Sequence, residues 1–236
     1  MPSNYRPISF IGCVGKIMER CVYKHIFNHL KTNRLIYEYK SGFLPKFSTV
    51  HQLIEMYNCV LNALENKETS YYVFCDFSKA FDKVWLKDLL HKLKSFGVGG
   101  SLLNWLKSYL SDKFQSVVID NSSSNLCSIS AGVPQDSVLG PLLFIVYIND
   151  IADNLISLTR LFAVDTSLGS TSVDNDYVKQ VINHHLKKLG EWSDLSLTSM
   201  SFDPDKTVIV LFSNGELPEI SFSLNGKIIT ISSSHI

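Results

Sequence analysis

Two segments far apart in the chain constrain its fold more than any other feature. FCDFSKAFD (74–82) and LFAVDTSL (161–168) each read as an apolar strand that delivers an aspartate to its end, Asp76 and Asp165. A charge at the exit of an apolar strand is costly unless a metal or partner compensates it. Laid side by side, the two strands bring both carboxylates together. Hard oxygen ligands of that kind suit Mg²⁺, and phosphoryl transfer by two metal ions needs such carboxylates to clamp them. Each aspartate also has a simpler reading. Asp76 can cap the segment SKAFDKV, and an aspartate at a hairpin tip is commonplace.

The chain has 236 residues, 45% of them hydrophobic, which suits one large domain or two closely packed lobes. Its charged fraction of 19% is low but not that of a disordered chain. The longest apolar run, Pro141 to Ile148, falls far short of the roughly 20 residues of a membrane span, so no membrane association is expected. Met1-Pro2-Ser3-Asn4 is polar and starts no secretory signal. The five cysteines are scattered without C-x-x-C spacing, which suggests neither a disulfide framework nor a zinc site. Cys75, beside Asp76, reads as a small buried hydrophobe. An intracellular location is the default.

Net charge is zero, yet Arg6, Lys16, Arg20, Lys24, Lys31, Arg34, Lys40 and Lys46 face only Glu19 and Glu38 in the first fifty residues. A basic front on a neutral chain fits phosphate binding. It equally fits a solvated helix face. A helix is expected over 15–30, with Val14, Ile17, Met18, Cys21 and Val22 as its buried stripe and Lys16, Arg20, Lys24 and Lys31 as an outer rail. His25 falls on the apolar side, i, i+4 from His29, and no third metal ligand is evident.

A loop over 39–48 precedes a second helix, with Thr49 and Gln52 as a capping box and Val50, Leu53, Ile54, Tyr57, Val60, Leu61 and Leu64 on one face. Further helices are expected over 85–96, closed by Gly97, and over 101–110, 138–152 and 174–192. Strands are expected at 71–77, at 114–120 and 126–132 as a hairpin or two adjacent strands, in a hairpin around Asp165-Thr166, and as TVIVLFS, ISFSL and KIITIS near the end, with turns at Asn214-Gly215 and Asn225-Gly226. Asp150 reads as a capping residue rather than a third ligand. The layout is α+β, helices packed on an antiparallel sheet.

Seven stretches in order, NYRPISF (4–10), KSGFLPKFST (40–49), FCDFSKAFDKV (74–84), WLKSYLSDKFQSVVID (105–120), GVPQDSVLGPLLFIVYINDI (132–151), LFAVDTSL (161–168) and DPDKTVIVLFS (203–213), resemble the reverse transcriptase domain of non-LTR, LINE-type retrotransposons of the jockey and CR1 kind. The resemblance implies a right-hand polymerase fold with fingers over about 1–70, palm over about 71–213 and terminal strands over 214–236. It also implies that the chain starts inside the fingers and stops soon after the palm, thumb missing, as a truncated copy. The implied reaction is RNA-templated DNA synthesis, in which a primer 3′-OH attacks the α-phosphate of a dNTP with two Mg²⁺ ions. RNA template, DNA primer or target and dNTP are the implied partners, in cytoplasm or nucleus.

By the same resemblance, Asp76 and Asp165 are metal ligands and Phe81 is the steric gate against a ribose 2′-OH. Arg6 lies near the triphosphate, Pro134 and Gln135 lie against nucleotide and template, and Lys206 is a catalytic cation near the leaving pyrophosphate and a candidate proton donor. Phe81 also reads as a core aromatic. An unrelated Mg²⁺-dependent phosphatase or nuclease would need neither the Phe81 gate nor the P-Q loop. The departures from the family pattern matter as much. Val164 replaces the first aspartate of F-A-D-D and offers no oxygen. Strand alternation is expected to turn Asp165 to a different side, so the loss should cost about a thousandfold or more in rate. Asp136 replaces the glycine of P-Q-G, Leu44 replaces an arginine, and the stretch 194–202 looks longer than usual. The alternative is a non-catalytic remnant that at most binds RNA or an RNA–DNA hybrid.

Overall fold

The computed structural model describes residues 5–44, 48–120, 122–153, 155, 158–162, 165–195, 200–214 and 220–235. Along the chain run α1 (Cys13–Thr32), α2 (Thr49–Glu65), β1 (Thr69–Asp76), a 3₁₀ turn (Ala80–Lys83), α3 (Leu86–Ser95) and α4 (Gly100–Leu110). Then come β2 (Lys113–Gln115), β3 (Val118–Ile119), β4 (Ser122–Ser123), β5 (Cys127–Ile129), α5 (Gly140–Tyr147), β6 (Leu158–Phe162) and β7 (Asp165–Ser172). They end with α6 (Asn175–Leu195), β8 (Val208–Ser213), β9 (Ser223–Leu224), β10 (Lys227–Ile228) and β11 (Thr230–His235). Two compact units divide them, one of Met1–Ile36 with Lys79–Asn149, the other of Tyr37–Ser78 with Asp150–Ile236.

The second unit is built on a five-stranded sheet in the order β11-β8-β1-β7-β6. All neighbours run antiparallel except β11, which is parallel to β8. β1 is central, and its apolar run follows from that position. Tyr71, Val73 and Cys75 are buried on one face, where Tyr71 meets Phe222 edge-on and donates its hydroxyl to Asn175 at the start of α6. Burial pushes the Cys75 thiol up to about 12, which makes it an inert core group. On the other face Tyr72 packs with Val60 and Leu64 of α2. A Cβ at Gly169 would stand 2.7 Å from the Tyr72 ring, so only glycine lets the ring lie over β7. Farther along this face Phe74 is 37% exposed, so the cover thins toward Asp76.

The first unit is helical. α5 is hydrophobic all round and buried along almost its whole length, the pattern of a central core helix. α3 packs against α4 and α5, and Lys92 caps α5 by donating to the Tyr147 carbonyl at 2.7 Å. The segment 113–129 forms a two-part ribbon, β2 with β5 and β3 with β4, as the hairpin reading expected.

Several expectations are corrected. The stripe read as the buried face of α1 is solvent-facing, with Val14 81% exposed and Ile17, Met18 and Cys21 also exposed. The buried face carries Glu19, Ile26 and Leu30. Apolar periodicity missed it because one of its anchors is a carboxylate. His25 is exposed, and His29 donates from Nε2 to the Phe96 carbonyl at 2.7 Å. In α2 only the C-terminal half is buried, at Val60, Ala63 and Leu64, while Val50, Leu53, Ile54 and Tyr57 are exposed. Its N-cap is Ser48 rather than a Thr49–Gln52 box, and Ser48 Oγ instead meets His51 Nδ1. α5 ends at Tyr147, short of 152. Val164, the Gly215 half of the Asn214-Gly215 turn, 45–47 in the first loop and 196–199 in the lengthened stretch lie outside the described residues.

Candidate active site

β1 ends at Asp76 and β7 begins at Asp165, and the two are direct partners in the antiparallel register. Residues opposite each other across a ladder point to the same face. The register thus sets both carboxylates on one face, as laying the two strands side by side anticipates. Partial burial, and secondly the charge of Asp76, hold the Asp165 carboxyl above the usual carboxylate range. Asp165 is a strand residue paired with Phe162, not a hairpin tip.

A turn after α6 supplies a cation. Asp203 accepts the Asp205 amide on its side chain and the Lys206 amide and Thr207 hydroxyl on its carbonyl, winding the chain tightly. The Asp203 amide in turn donates to the Asp76 carbonyl at 2.9 Å. Phe77 stacks on Phe202 at 4.2 Å and pins this turn to the end of β1. Lys206 Nζ then lies 3.3 Å from Asp76 Oδ2 and 3.8 Å from Asp203 Oδ2. Asp76, Asp165 and Lys206, three positions spread over 131 residues of sequence, therefore share one corner of the sheet. Asp150 is held apart as the acceptor of the Trp192 indole N–H at 3.1 Å.

The first unit organises a loop over 132–140. Val133 N–H donates to the Phe81 carbonyl and Gly132 N–H to the Val84 carbonyl, both at 2.8 Å. Gly132 has φ +96, and a Cβ there would stand 2.9 Å from the Asp82 carbonyl oxygen. Gln135 Nε2 donates to Asp82 Oδ1 at 2.7 Å. Ser137 Oγ donates to the Pro134 carbonyl and accepts from Gly140 N–H. At the far end, Glu19 accepts from Val138 N–H at 2.7 Å and from the Tyr109 hydroxyl at 2.6 Å. Two bonds and the backbone polarity of the loop compensate this buried carboxylate. Asp136 sits between the two anchors at φ +58, a left-handed conformation that favours glycine.

Of the residues singled out in the sequence, Pro134 and Gln135 lie on this loop, and Phe81 lies beside it, stacked on Phe144 at 4.9 Å. Arg6 is exposed in the segment before α1. Lys16, Arg20, Lys24 and Lys31 are all exposed along α1, as a rail requires. Leu44 is half-buried. Sequence reasoning missed Glu19 and Asp82. The signal for Glu19 was its isolation, one acid in a basic apolar helix, and Asp82 closes the FCDFSKAFD motif.

Among the described residues no group of three or more histidine, cysteine, aspartate or glutamate side chains could hold a metal ion, and no helix is long and apolar enough to cross a membrane. Residues 1–227 match the family model described as reverse transcriptase (RNA-dependent DNA polymerase). The chain is 31% identical, over 96% of its length, to the RNA-directed DNA polymerase from mobile element jockey of Drosophila melanogaster, covering 25% of that protein. It is 32% identical, over 88% of its length, to a probable RNA-directed DNA polymerase from transposon BS of the same species, covering 23% of it. The chain thus spans about a quarter of the length of the curated relatives it matches. In fold it is similar to a solved telomerase from Candida albicans in complex with a fragment of telomeric RNA, with a TM-score of 0.61 at 14% identity over 89% of this chain and 36% of that one.

Proposed function

The chain belongs to the reverse transcriptase (RNA-dependent DNA polymerase) family, and from that premise we propose that it is the fingers and palm of a mobile-element RNA-directed DNA polymerase whose metal site is incomplete. The observation that carries this is the corner formed by Asp76, Asp165 and Lys206 at the end of the central strands. RNA template, DNA primer and dNTP are its substrates, with Phe81 as gate, Arg6 toward the triphosphate and Pro134 and Gln135 against nucleotide and template.

The family uses Mg²⁺, which supplies charge neutralisation for phosphoryl transfer when bound. The donor set of this chain does not fit two such ions. Two carboxylates converge, one of them engaged by an ammonium at 3.3 Å, and position 164 carries a valine whose side chain has no oxygen to offer. No step is therefore assigned through a metal. What the residues do is narrower: Lys206 neutralises Asp76 and offers a cation to a phosphate oxygen, while Asp165 keeps a proton to higher pH than an ordinary carboxyl.

The test is primer extension on an RNA template with dNTPs and Mg²⁺, using the native chain, Val164→Asp, and Asp76→Ala as blank. Silence in the native chain with activity in Val164→Asp is expected, a gain of about a thousandfold or more. Activity in the native chain that disappears in Asp76→Ala overturns the impairment. Silence in both supports the second reading, a non-catalytic remnant that binds RNA or RNA–DNA hybrid. The observation favouring that reading is the exposed rail of Lys16, Arg20, Lys24 and Lys31. Hybrid binding that weakens with salt and with charge removal on this rail is its signature.

A further inference from the structure

Lys206 is brought to Asp76 by the backbone of its turn. The Asp203 carbonyl accepts both the Lys206 amide, at 3.1 Å, and the Thr207 hydroxyl, at 2.8 Å. Thr207 is 1% exposed, and its side chain also hydrogen-bonds the Cys75 thiol, one residue before Asp76. The Asp203 amide closes the circuit on the Asp76 carbonyl. The ammonium therefore starts from a fixed base and meets Asp76 Oδ2 at 3.3 Å, although its side chain is 60% exposed. On a loose surface loop it would rarely sit there, because an exposed ion pair alone contributes little. Any divalent ion that takes Asp76 as a ligand must displace this ammonium or share the carboxylate with it.

We propose that Lys206 is the built-in counter-cation of Asp76, held there by its turn, and that it competes with divalent ions for the corner. This rests on the reading of Asp76 and Asp165 as the metal-binding pair. Mg²⁺ and Mn²⁺ draw their affinity from hard carboxylate oxygens. An ammonium on Asp76 cancels part of that attraction and sets a like charge beside the ion. Asp203 Oδ2 lies 3.8 Å from the same ammonium, so two carboxylates draw it to one place. The valine at 164 supplies no oxygen with which an ion could offset the loss.

The test is Mn²⁺ binding to the whole chain, read from the electron spin resonance signal of the free ion at fixed ionic strength. The native chain is expected to bind weakly. Lys206→Gln removes the charge at an exposed position and leaves the backbone bonds of the turn in place. It should bind Mn²⁺ about fivefold more tightly, the scale of an exposed ion pair. Lys206→Arg keeps the charge and should stay near the native affinity. Thr207→Val keeps the shape but loses the hydroxyl, so the ammonium is held less well and affinity should rise toward that of Lys206→Gln. A threonine that served folding alone would lower the affinity, or leave it unchanged, when replaced. Lys206→Gln with Thr207→Val should bind no more tightly than Lys206→Gln alone.

Lys206→Gln binding Mn²⁺ no more tightly than the native chain overturns the competition. An equal rise in Lys206→Arg also overturns it, since the gain would then come from side-chain shape rather than charge. A folded Thr207→Val that binds less tightly than the native chain overturns the role of the turn. In an Asp76→Asn background most of the Lys206→Gln gain should vanish, and a gain that persists in full sinks the proposal. Asp76→Asn should itself bind more weakly than the native chain. If it binds equally well, the ion lies elsewhere, and the reading of the corner fails together with the proposal. If Asp76→Asn loses the ion while Lys206→Gln gains nothing, that reading stands and only the competition is overturned.

Discussion

Asp76 and Asp165 stand directly opposite each other at the end of β1 and the start of β7. Their side chains share a face, and the neighbouring charge of Asp76 adds to burial in holding the Asp165 carboxyl above its ordinary 3.8. Lys206 at 3.3 Å answers one of the two charges, through Asp76. The corner is thus anionic and only partly compensated.

The raised carboxyl gives a pH prediction with a definite sign. The folded protein holds this proton to higher pH than the unfolded chain. Stability from the group is therefore full at acid pH and is lost as pH rises from about 3.8 through the raised folded value. Asp165→Asn, which cannot ionise, should melt higher than the native chain at neutral pH. The gap should close as pH falls below 3.8 in thermal scans. A neutral-pH midpoint lower than native would contradict the repulsion.

Asp136 occupies a left-handed backbone position at φ +58. Aspartate tolerates that region better than most residues, but a Cβ there still costs energy that glycine avoids. Asp136→Gly should stabilise the chain by roughly 0.5–1 kcal/mol, read as a higher urea midpoint at unchanged slope.

Glu19 is 1% exposed and accepts from both Val138 N–H and the Tyr109 hydroxyl. Glu19→Ala removes the shared acceptor from two part-buried donors and should cost about 1–3 kcal/mol. Glu19→Gln keeps one acceptor oxygen but turns a second donor toward a donor, so it should recover only part of the loss. Urea unfolding of the two variants decides this. Equal costs would mean that side-chain volume rather than hydrogen bonding holds the loop.

Gly169 lets the Tyr72 ring lie against β7, since an added Cβ would come within 2.7 Å of it. Gly169→Ala should cost about 1–3 kcal/mol by overpacking. In a Tyr72→Leu background most of that penalty should vanish, a coupling measurable by a double-mutant cycle.

Much of this fold is legible in short windows of sequence. The apolar strand YYVFCD, α6, the Gly97 helix stop with φ +87 and the Asn225-Gly226 turn all follow from local patterns, because each depends on neighbours a few residues away. The jockey-type resemblance carried by seven ordered motifs is matched by 31% identity to a jockey polymerase. The exposed apolar stripe of α1 is not legible in this way. Periodicity reports which residues could be buried together, whereas a carboxylate that finds two donors can take the buried face instead.

By itself the sequence determined the elements, the family, the carboxylate at the exit of β1, and the valine at 164 that offers no oxygen. Those are properties of single residues and short windows. Only the tertiary structure decided that Asp165 stands opposite Asp76, that Lys206 reaches Asp76 from the turn after α6, and that Gln135 donates to Asp82. Strand periodicity fixes parity along one strand, but which residues oppose each other is set by register between strands, and register is chosen by the packing of the whole sheet.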